Sequence, residues 1–185
     1  MKIEYDYGYY EGDIDADNLP HGWGVFCLCD GDRYEGGFEH NTKHGYGIYY
    51  YSNGDRYEGE WENGKMHGYG TLYCSDGDRY EGEWEHNEKH GCGTDYYSNG
   101  NRYEGNFEHN EYHGQGTFYL NNGNRYEGSF EHSEYHGHGK FYFSNGNIYE
   151  GEWENNKNAN HVTFFVNGKT YYGNFVNGHY VRDDT

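Results

Sequence analysis

The sequence predicts an all-β fold, an elongated single-layer antiparallel meander of consecutive β-hairpins that twists to leave a concave groove on one face. A segment of the form Tyr-x-Gly-x-Trp or Tyr-x-Gly-x-Phe recurs at a constant 23-residue step, and ten residues later most copies are answered by His-Gly-x-Gly. A fixed period of this length is typical of stacked arrays, in which each unit meets mainly its neighbours. The first segments begin at Tyr34, Tyr57, Tyr80, Tyr103, Tyr126 and Tyr149, and the answering ones at His44, His67, His90, His113 and His136.

Each repeat reads as two strands. Tyr57, Gly59 and Trp61 alternate with polar residues, and this period of two places them on one strand face. A second apolar run follows His67, and an Asn-Gly or Asp-Gly dipeptide, a strong hairpin signal, comes after it. A two-residue loop there would pair Tyr50 with Tyr57 and mix the faces, so we expect a bulge or an odd-length loop.

The fixed glycines are expected to leave room for neighbouring rings. A strand is weakened by glycine unless something must approach its backbone closely. Pairing Glu39 with His44 around a four-residue loop places Gly36 opposite Gly47, so that the two glycines form a floor under the rings. Twist accumulates along such a sheet and curves one face inward.

The domain organisation follows from the repeats. Residues 1–9 are predicted to be a lead-in strand, and residues 10–185 an array of about seven repeats and a C-terminal half repeat. The first repeat has Ile14 in the Trp column and one extra residue before His21, and residues 159–162 replace the seventh His-Gly-x-Gly. Atypical terminal repeats are expected as caps. The alternative is a self-association seam, because an uncapped sheet edge invites pairing. That seam consists of Val162, Phe164, Phe165 and Val166.

Composition limits the class of partner. The chain has 13 basic and 32 acidic residues, a formal net charge of −19. This charge disfavours nucleic acid and anionic lipid and favours basic partners, although it also keeps an aromatic-rich chain in solution. We see no signal peptide and no apolar run long enough to span a membrane. The four cysteines follow no repeat column, which indicates reduced thiols and a cytoplasmic protein.

We predict no catalytic residues, no metal and no cofactor. Thirteen histidines raise the question of zinc, but equivalent residues of successive repeats lie about 10 Å apart, too far to share an ion. The acidic run 13–18 lacks the glycine and the final glutamate of a calcium loop. Cys27 and Cys29 have no matching second pair, and phosphate-binding loops are absent. We therefore predict that the chain is not an enzyme.

The aromatic face is the predicted partner-binding surface. A single layer has no second layer to cover its rings, and contiguous exposed apolar surface usually marks an interaction site. The predicted groove consists of Tyr57, Trp61, Tyr80, Trp84, Tyr103 and Phe107, with Glu58, Glu81 and Glu104 as an acidic rim. The competing interpretation is that these rings only hold the array together.

These motifs resemble the MORN repeat (membrane occupation and recognition nexus) over about residues 10–180. The resemblance implies a single-layer sheet of hairpins and a scaffold protein of the cytoskeleton or cilium. Its aromatic groove would bind a helix or tail, such as a myosin tail. It leaves open a homodimer, a zinc site between chains, a membrane-apposed tether that binds phospholipid head groups, and a purely self-assembling structural element.

Overall fold

The computed structural model describes residues 1–158, 162–176 and 179–182. These residues form one open antiparallel sheet of consecutive hairpins, and no helix occurs among them, which confirms the predicted fold class. The chain divides into two compact units, Met1–Gly91 and Cys92–Thr185. The replaced seventh motif, residues 159–162, lies outside the described residues except for its last position.

The strands follow the 23-residue period. The first unit contains β1 (Lys2–Tyr5), β2 (Gly8–Ile14), β3 (Pro20–Leu28), β4 (Arg33–Glu39), β5 (Thr42–Tyr50), β6 (Arg56–Glu62), β7 (Lys65–Tyr73) and β8 (Arg79–Glu85). The division between the units falls within β9 (Glu88–Tyr96). The second unit contains β10 (Arg102–Glu108), β11 (Glu111–Tyr119), β12 (Arg125–Glu131), β13 (Glu134–Tyr142), β14 (Ile148–Glu154), β15 (Lys157–Asn158), β16 (Val162–Val166), β17 (Lys169–Val176) and β18 (His179–Arg182).

The turn between the two strands of a repeat differs from the prediction. Gly36 does lie opposite Gly47, but Glu39 pairs with Thr42 and not with His44. His40 and Asn41 form a two-residue turn with φ of 45° and 62°, the left-handed pair that a tight hairpin needs. A register shift between Gly36 and Phe38 takes up the remaining residues as a bulge. The predicted four-residue loop is therefore wrong, because the bulge and not the loop absorbs the extra length.

The loop between repeats has the predicted odd length. Tyr50 pairs with Arg56 and Tyr49 with Tyr57, which leaves residues 51–55 in the loop and keeps both strands on their proper faces. Successive loops are joined, since the Asp32 carboxylate accepts a hydrogen bond of 2.8 Å from the Ser52 backbone N–H. The same bond recurs at Asp55, Asn101 and Asn124.

The core of each unit is a column of tyrosines lying over glycine. A Cβ added to Gly47 would stand 2.2 Å from the Tyr34 hydroxyl oxygen, so this position requires glycine. The Tyr34 hydroxyl donates a hydrogen bond of 3.0 Å to the carbonyl of Gly37, the bulge residue. Its equivalents do the same, which explains why the column is tyrosine and not phenylalanine. The buried column consists of Tyr10, Tyr34, Tyr57, Tyr80, Tyr103, Tyr126 and Tyr149.

The Trp or Phe column packs between the tyrosines of neighbouring repeats. The Trp61 ring meets Tyr34 and Tyr57 edge to face, with both centroid separations 5.2 Å. Edge-to-face contacts of this kind suit the ring quadrupole. The Trp61 Nε1–H also donates a hydrogen bond of 3.2 Å to the carbonyl of Gly47 on the preceding strand. The ring face of the sheet is thus a continuous herringbone within each unit.

Candidate partner-binding face

The six aromatic residues predicted to line the groove are buried. Their exposed fractions range from 0% for Tyr57 and Tyr103 to 4% for Trp61 and Trp84, and Tyr80 and Phe107 lie between these values. The expectation that these rings leave exposed edges is therefore wrong, although a floor role beneath a bound partner stays a prediction. The physical reason is a further column of side chains that covers the tyrosines.

The covering residue lies opposite the Trp or Phe column in the strand register. In the second unit it is tyrosine: Tyr112 stacks on Tyr103 with ring centroids 3.7 Å apart, and Tyr135 stacks on Tyr126 at 3.9 Å. In the first unit Lys43 takes this position, and its Nζ lies 4.1 Å from the Trp61 ring centroid and 4.4 Å from that of Tyr49. Lys89 covers Tyr80 in the same manner, at 4.6 Å. One side chain per repeat thus covers the tyrosine column, as a second layer would do in a two-layer fold.

Lys43 is the most perturbed cation on this face. Burial penalises its charged ammonium and lowers its pKa to about 8, and the nearby Asp32 carboxylate opposes this change only in part. The Lys43 Nζ also lies over the rings of Tyr34, Tyr49 and Trp61, whose faces attract a cation. The amine lines a hollow of about 250 Å³ together with Phe26, Phe38 and Tyr49.

A half-buried band of mostly apolar side chains runs beside the buried tyrosine column, and we call it the aromatic strip. It is formed by the two residues on the same face that follow the His-Gly-x-Gly segment. In the first unit the aromatic strip consists of Phe26, Leu28, Tyr49, Tyr51, Leu72 and Cys74, and in the second of Tyr97, Phe118, Leu120, Phe141, Phe143 and Phe164. This strip, and not the tyrosine column, presents the apolar surface of the face.

Equivalent hollows open in the aromatic strip of each unit. The hollow of the second unit is about 410 Å³ and is lined by Tyr135, Phe141, Phe143, Tyr149, Trp153, Asn156 and Phe164. Its counterpart beside Lys43 uses the positions five repeats earlier, namely Phe26, Leu28, Tyr34, Phe38, Asn41 and Tyr49. Hollows of this size accept a single side chain of a partner, which makes them candidate anchor sites.

The predicted acidic rim lies on the opposite face of the sheet. Glu58 follows Tyr57 in the strand, so it points away from the rings and pairs with Arg56 at 3.4 Å. Glu81 and Glu104 pair with Arg79 and Arg102 in the same way. These three glutamates could form a rim only by projecting past the edge of the sheet, and this role stays a prediction.

The acidic groups beside the aromatic strip come from the loops between repeats. The Tyr49 hydroxyl donates a hydrogen bond of 2.6 Å to Asp32, and this bond is the main reason that the Asp32 pKa lies below its ordinary value. In the first unit the loop column is acidic, with Asp32, Asp55 and Asp78, whereas in the second it is neutral, with Asn101, Asn124 and Asn147. Only the first unit therefore carries an acidic edge along this column.

Asp95 occupies a position of the aromatic strip that is apolar or aromatic in the neighbouring repeats. It is 8% exposed and accepts a hydrogen bond of 3.2 Å from the hydroxyl of Tyr112, which also contacts the hydroxyl of Tyr97. Burial, and then these two neighbours, raise the pKa of the Tyr112 hydroxyl. A tyrosine cover thus has a polar tip that reaches a carboxylate in the strip.

A second row of aromatic residues escaped the sequence prediction. Trp23, Tyr46 and Tyr69 occupy the variable position of His-Gly-x-Gly, on the face opposite the tyrosine column, and each is more than half exposed. The Tyr46 hydroxyl donates a hydrogen bond of 3.2 Å to Glu58. The signal was present in the sequence, since strand alternation alone places this position on the outer face.

The predicted self-association seam lies on a strand that has partners on both sides. Phe164 pairs with Tyr149 of β14 and with Tyr171 of β17, and Val162 is 2% exposed. The unpaired edge that motivated the seam is therefore absent at β16. Self-association through the half-buried side chains of Phe164, Phe165 and Val166 stays a prediction.

Comparison with solved structures finds a related fold at low sequence identity. The TCP domain of SAS-4 (dCPAP) of Drosophila melanogaster, solved in complex with a proline-rich motif of Ana2 (dSTIL), is 11% identical, with 88% of each chain covered and a TM-score of 0.54. The G-box domain of the microcephaly protein CPAP is 9% identical over 93% of this chain and 96% of that one, with a TM-score of 0.45. A likeness at this identity shows the fold alone.

Sequence comparison identifies the family. No curated protein matches this chain. Within the described residues no helix is long and apolar enough to cross a membrane. The model of the MORN repeat matches seven consecutive segments, residues 10–33, 34–56, 57–79, 80–102, 103–125, 126–148 and 149–158. These segments follow the hairpins, the glycine floor and the tyrosine column, and the chain therefore belongs to the MORN repeat family.

Proposed function

We propose that this chain is a non-enzymatic protein-interaction scaffold that binds a helix or tail of a cytoskeletal, motor or ciliary partner on its aromatic strip. MORN repeats imply an interaction or scaffold role. The observation that carries the finer proposal is the row of half-buried apolar side chains with an equivalent hollow in each unit. A partner whose anchors are leucine or aromatic residues fits hollows of this kind.

The charge of the loops selects the partner further. Asp32 and Asp55 have pKa values below the ordinary range because they accept hydrogen bonds from Tyr49 and from the Ser75 backbone, so both stay ionised at neutral pH. Their charges favour Lys or Arg on the flank of a segment that lies over the first unit. The neutral loops of the second unit make no such demand.

The bound peptide of a similar fold supports this use of an open sheet. The SAS-4 TCP domain was solved with a proline-rich motif of Ana2. We propose for our chain a cytoplasmic, cytoskeleton-associated location, where a scaffold of this class meets such segments. Fluorescence microscopy of the tagged chain against tubulin and actin markers tests this location, and a diffuse signal would contradict it.

The binding proposal is tested by selecting partners and then removing the aromatic strip. A displayed library of short peptides is panned against the wild-type chain, and the enriched peptides are measured by calorimetry against two double variants. Leu28→Ser with Leu72→Ser removes apolar strip residues, and Tyr46→Ser with Tyr69→Ser removes exposed outer-face rings as the matched control. We expect basic, amphipathic peptides whose affinity falls by about 2 kcal/mol or more in the strip variant only. Equal binding to both variants, or loss in the outer-face variant alone, overturns the assignment.

A further inference from the structure

The extra residue of the first repeat builds a loop that the other repeats lack. Residues 15–19 connect β2 to β3, where the later repeats have two-residue turns. Asp15 closes this loop, since its Oδ1 accepts hydrogen bonds of 2.9 Å from the backbone N–H groups of Asp17 and Leu19. The carboxylate is thereby held in one orientation, with Oδ2 left towards the neighbouring turn.

The neighbouring turn brings a histidine to the same place. His40 lies in the two-residue turn between β4 and β5, and its Nδ1 is 3.9 Å from Asp15 Oδ2. His21 lies at the start of β3, and its ring centroid is 5.8 Å from that of His40. The backbone is fixed as well, because the Asn41 N–H donates a hydrogen bond of 2.9 Å to the carbonyl of Pro20, the residue before His21.

From this juxtaposition we infer that Asp15, His21 and His40 bind one divalent transition-metal ion of the class that includes zinc, copper and nickel. Ligand atoms of the three side chains lie within 4.8 Å of one another. Tetrahedral zinc with bonds of about 2.0–2.1 Å needs neighbouring ligand atoms roughly 3.3 Å apart. The His40 side chain is 78% exposed and can rotate to close this difference without moving the backbone.

The donor set selects the class of metal. Two imidazoles and one carboxylate suit zinc, copper or nickel, whereas calcium and magnesium prefer oxygen ligands alone. Three protein ligands leave a fourth position for water. The bound ion would tie the β2–β3 loop to the β4–β5 turn, and so clamp the atypical first repeat onto the regular one beside it.

The chain contains its own control pair. His67 and His86 repeat the geometry of His21 and His40, with ring centroids 6.1 Å apart. Their carboxylates are separate, however, since His67 faces Glu62 at 3.5 Å and His86 faces Glu85 at 4.0 Å. Among the residues that the structure describes, the cluster at Asp15 alone brings three such ligands together. Sequence reasoning by columns missed it because Asp15 stands in the column of Glu39 and Glu62, and only the extra residue before His21 sets the first repeat apart.

The site is tested with the metal alone on the full-length chain. The metal-free protein is titrated with Co²⁺, followed by visible absorbance, and the ion is then displaced with Zn²⁺ in competition. Variants are Asp15→Asn, which keeps the loop-closing oxygen, and His40→Asn, which copies Asn63 at the equivalent turn; His86→Asn is the control. Circular dichroism confirms that each variant folds.

We expect one tightly bound ion per wild-type chain, with affinity weakened about tenfold or more by Asp15→Asn and by His40→Asn. His86→Asn should bind as the wild type does. Absence of a stoichiometric ion overturns the inference. So does an affinity that Asp15→Asn leaves unchanged, or one that His86→Asn lowers as much as His40→Asn does.

Discussion

The first and second compact units bury the same tyrosine column under different covers. In the first unit the cover is Lys43, Met66 and Lys89, with both lysines held over rings by cation–π contacts, whereas in the second it is Tyr112 and Tyr135, stacked face to face. The tyrosine below is fully buried in both cases, with Tyr34 1% and Tyr126 0% exposed. The backbone and the glycine floor thus fix the tyrosine, and the cover is free to set the chemistry of the face.

The same contrast extends to the loops and to the outer face. The first unit has aspartates in the loop column and exposes Trp23, Tyr46 and Tyr69, whereas the second has asparagines and exposes Gln115 and His138 at the equivalent outer positions. One repeat pattern therefore produces a unit with acidic loops and lysine covers and a unit with neutral loops and stacked tyrosine covers. Substitutions of the ring, cover and loop residues should show how far this difference between the units affects stability.

We expect the largest loss of stability from removing one ring of the Trp or Phe column in either unit. Trp61→Ala and Phe130→Ala each empty a buried site between two tyrosines and should lower the free energy of unfolding by about 3–5 kcal/mol. Trp61→Ala should cost about 1 kcal/mol more, because it also removes the hydrogen bond to Gly47. Urea unfolding followed by far-UV circular dichroism measures both, with the exposed Trp23→Ala as control. Equal losses at the two positions would show that neither the indole hydrogen bond nor the larger ring adds stability.

A smaller effect on the free energy of unfolding depends on pH, and it distinguishes the lysine cover of the first unit from the tyrosine cover of the second. The folded pKa of Lys43 is about 8 and its ordinary value is 10.5, so between these limits the unfolded chain holds a proton that the folded chain has released. Stability should therefore rise with pH through this window, by at most about 3 kcal/mol. Tyr135, in the same position of the second unit, has its pKa raised to about 12 and does not titrate there.

Lys43→Met tests this directly, since methionine stands at the equivalent position 66 of the next repeat. The variant should be the more stable protein at pH 7, and its advantage should shrink as the pH approaches about 10. The exposed Lys65→Met serves as control. Burial raises the pKa of Cys74, which titrates nearby but acts equally in both proteins, so the difference between the two curves isolates Lys43. Parallel curves for wild type and Lys43→Met would show that the amine stays protonated in the folded state.

Sequence reasoning reached the period, the strands and the facing glycines because each of these is fixed by residues that recur. It placed Gly36 opposite Gly47 correctly, and the Tyr34 ring lies so close to Gly47 that a Cβ there would clash with it. Sequence reasoning did not foresee that the predicted groove rings are buried. The position that covers them varies among Lys, Met and Tyr, and so it does not stand out as a column.

The smallest effect concerns the hydrogen bonds that join successive loops between repeats. Aspartate and asparagine accept the same backbone N–H bond there. Asp32 and Asp55 accept backbone N–H groups in the first unit, and Asn101 and Asn124 do so in the second, all at 2.8–2.9 Å. The two aspartates have folded pKa values below the ordinary 3.8, so their contribution is complete above that value and is lost as the pH falls through the folded pKa. Because both residues are only partly buried, solvent screening limits the contribution of the pair to about 1 kcal/mol or less.

Asp32→Asn with Asp55→Asn should remove this part of the acid sensitivity while the amide Oδ1 keeps the hydrogen bond from the backbone N–H of the next loop, and Asn101→Asp should transfer the sensitivity to the second unit. Unfolding by urea from about pH 5 down to about pH 2 measures the slopes. If the double variant keeps the wild-type slope, the aspartates gain nothing from their charge. The two units would then differ in the cover of their rings and not in the bonds between their loops.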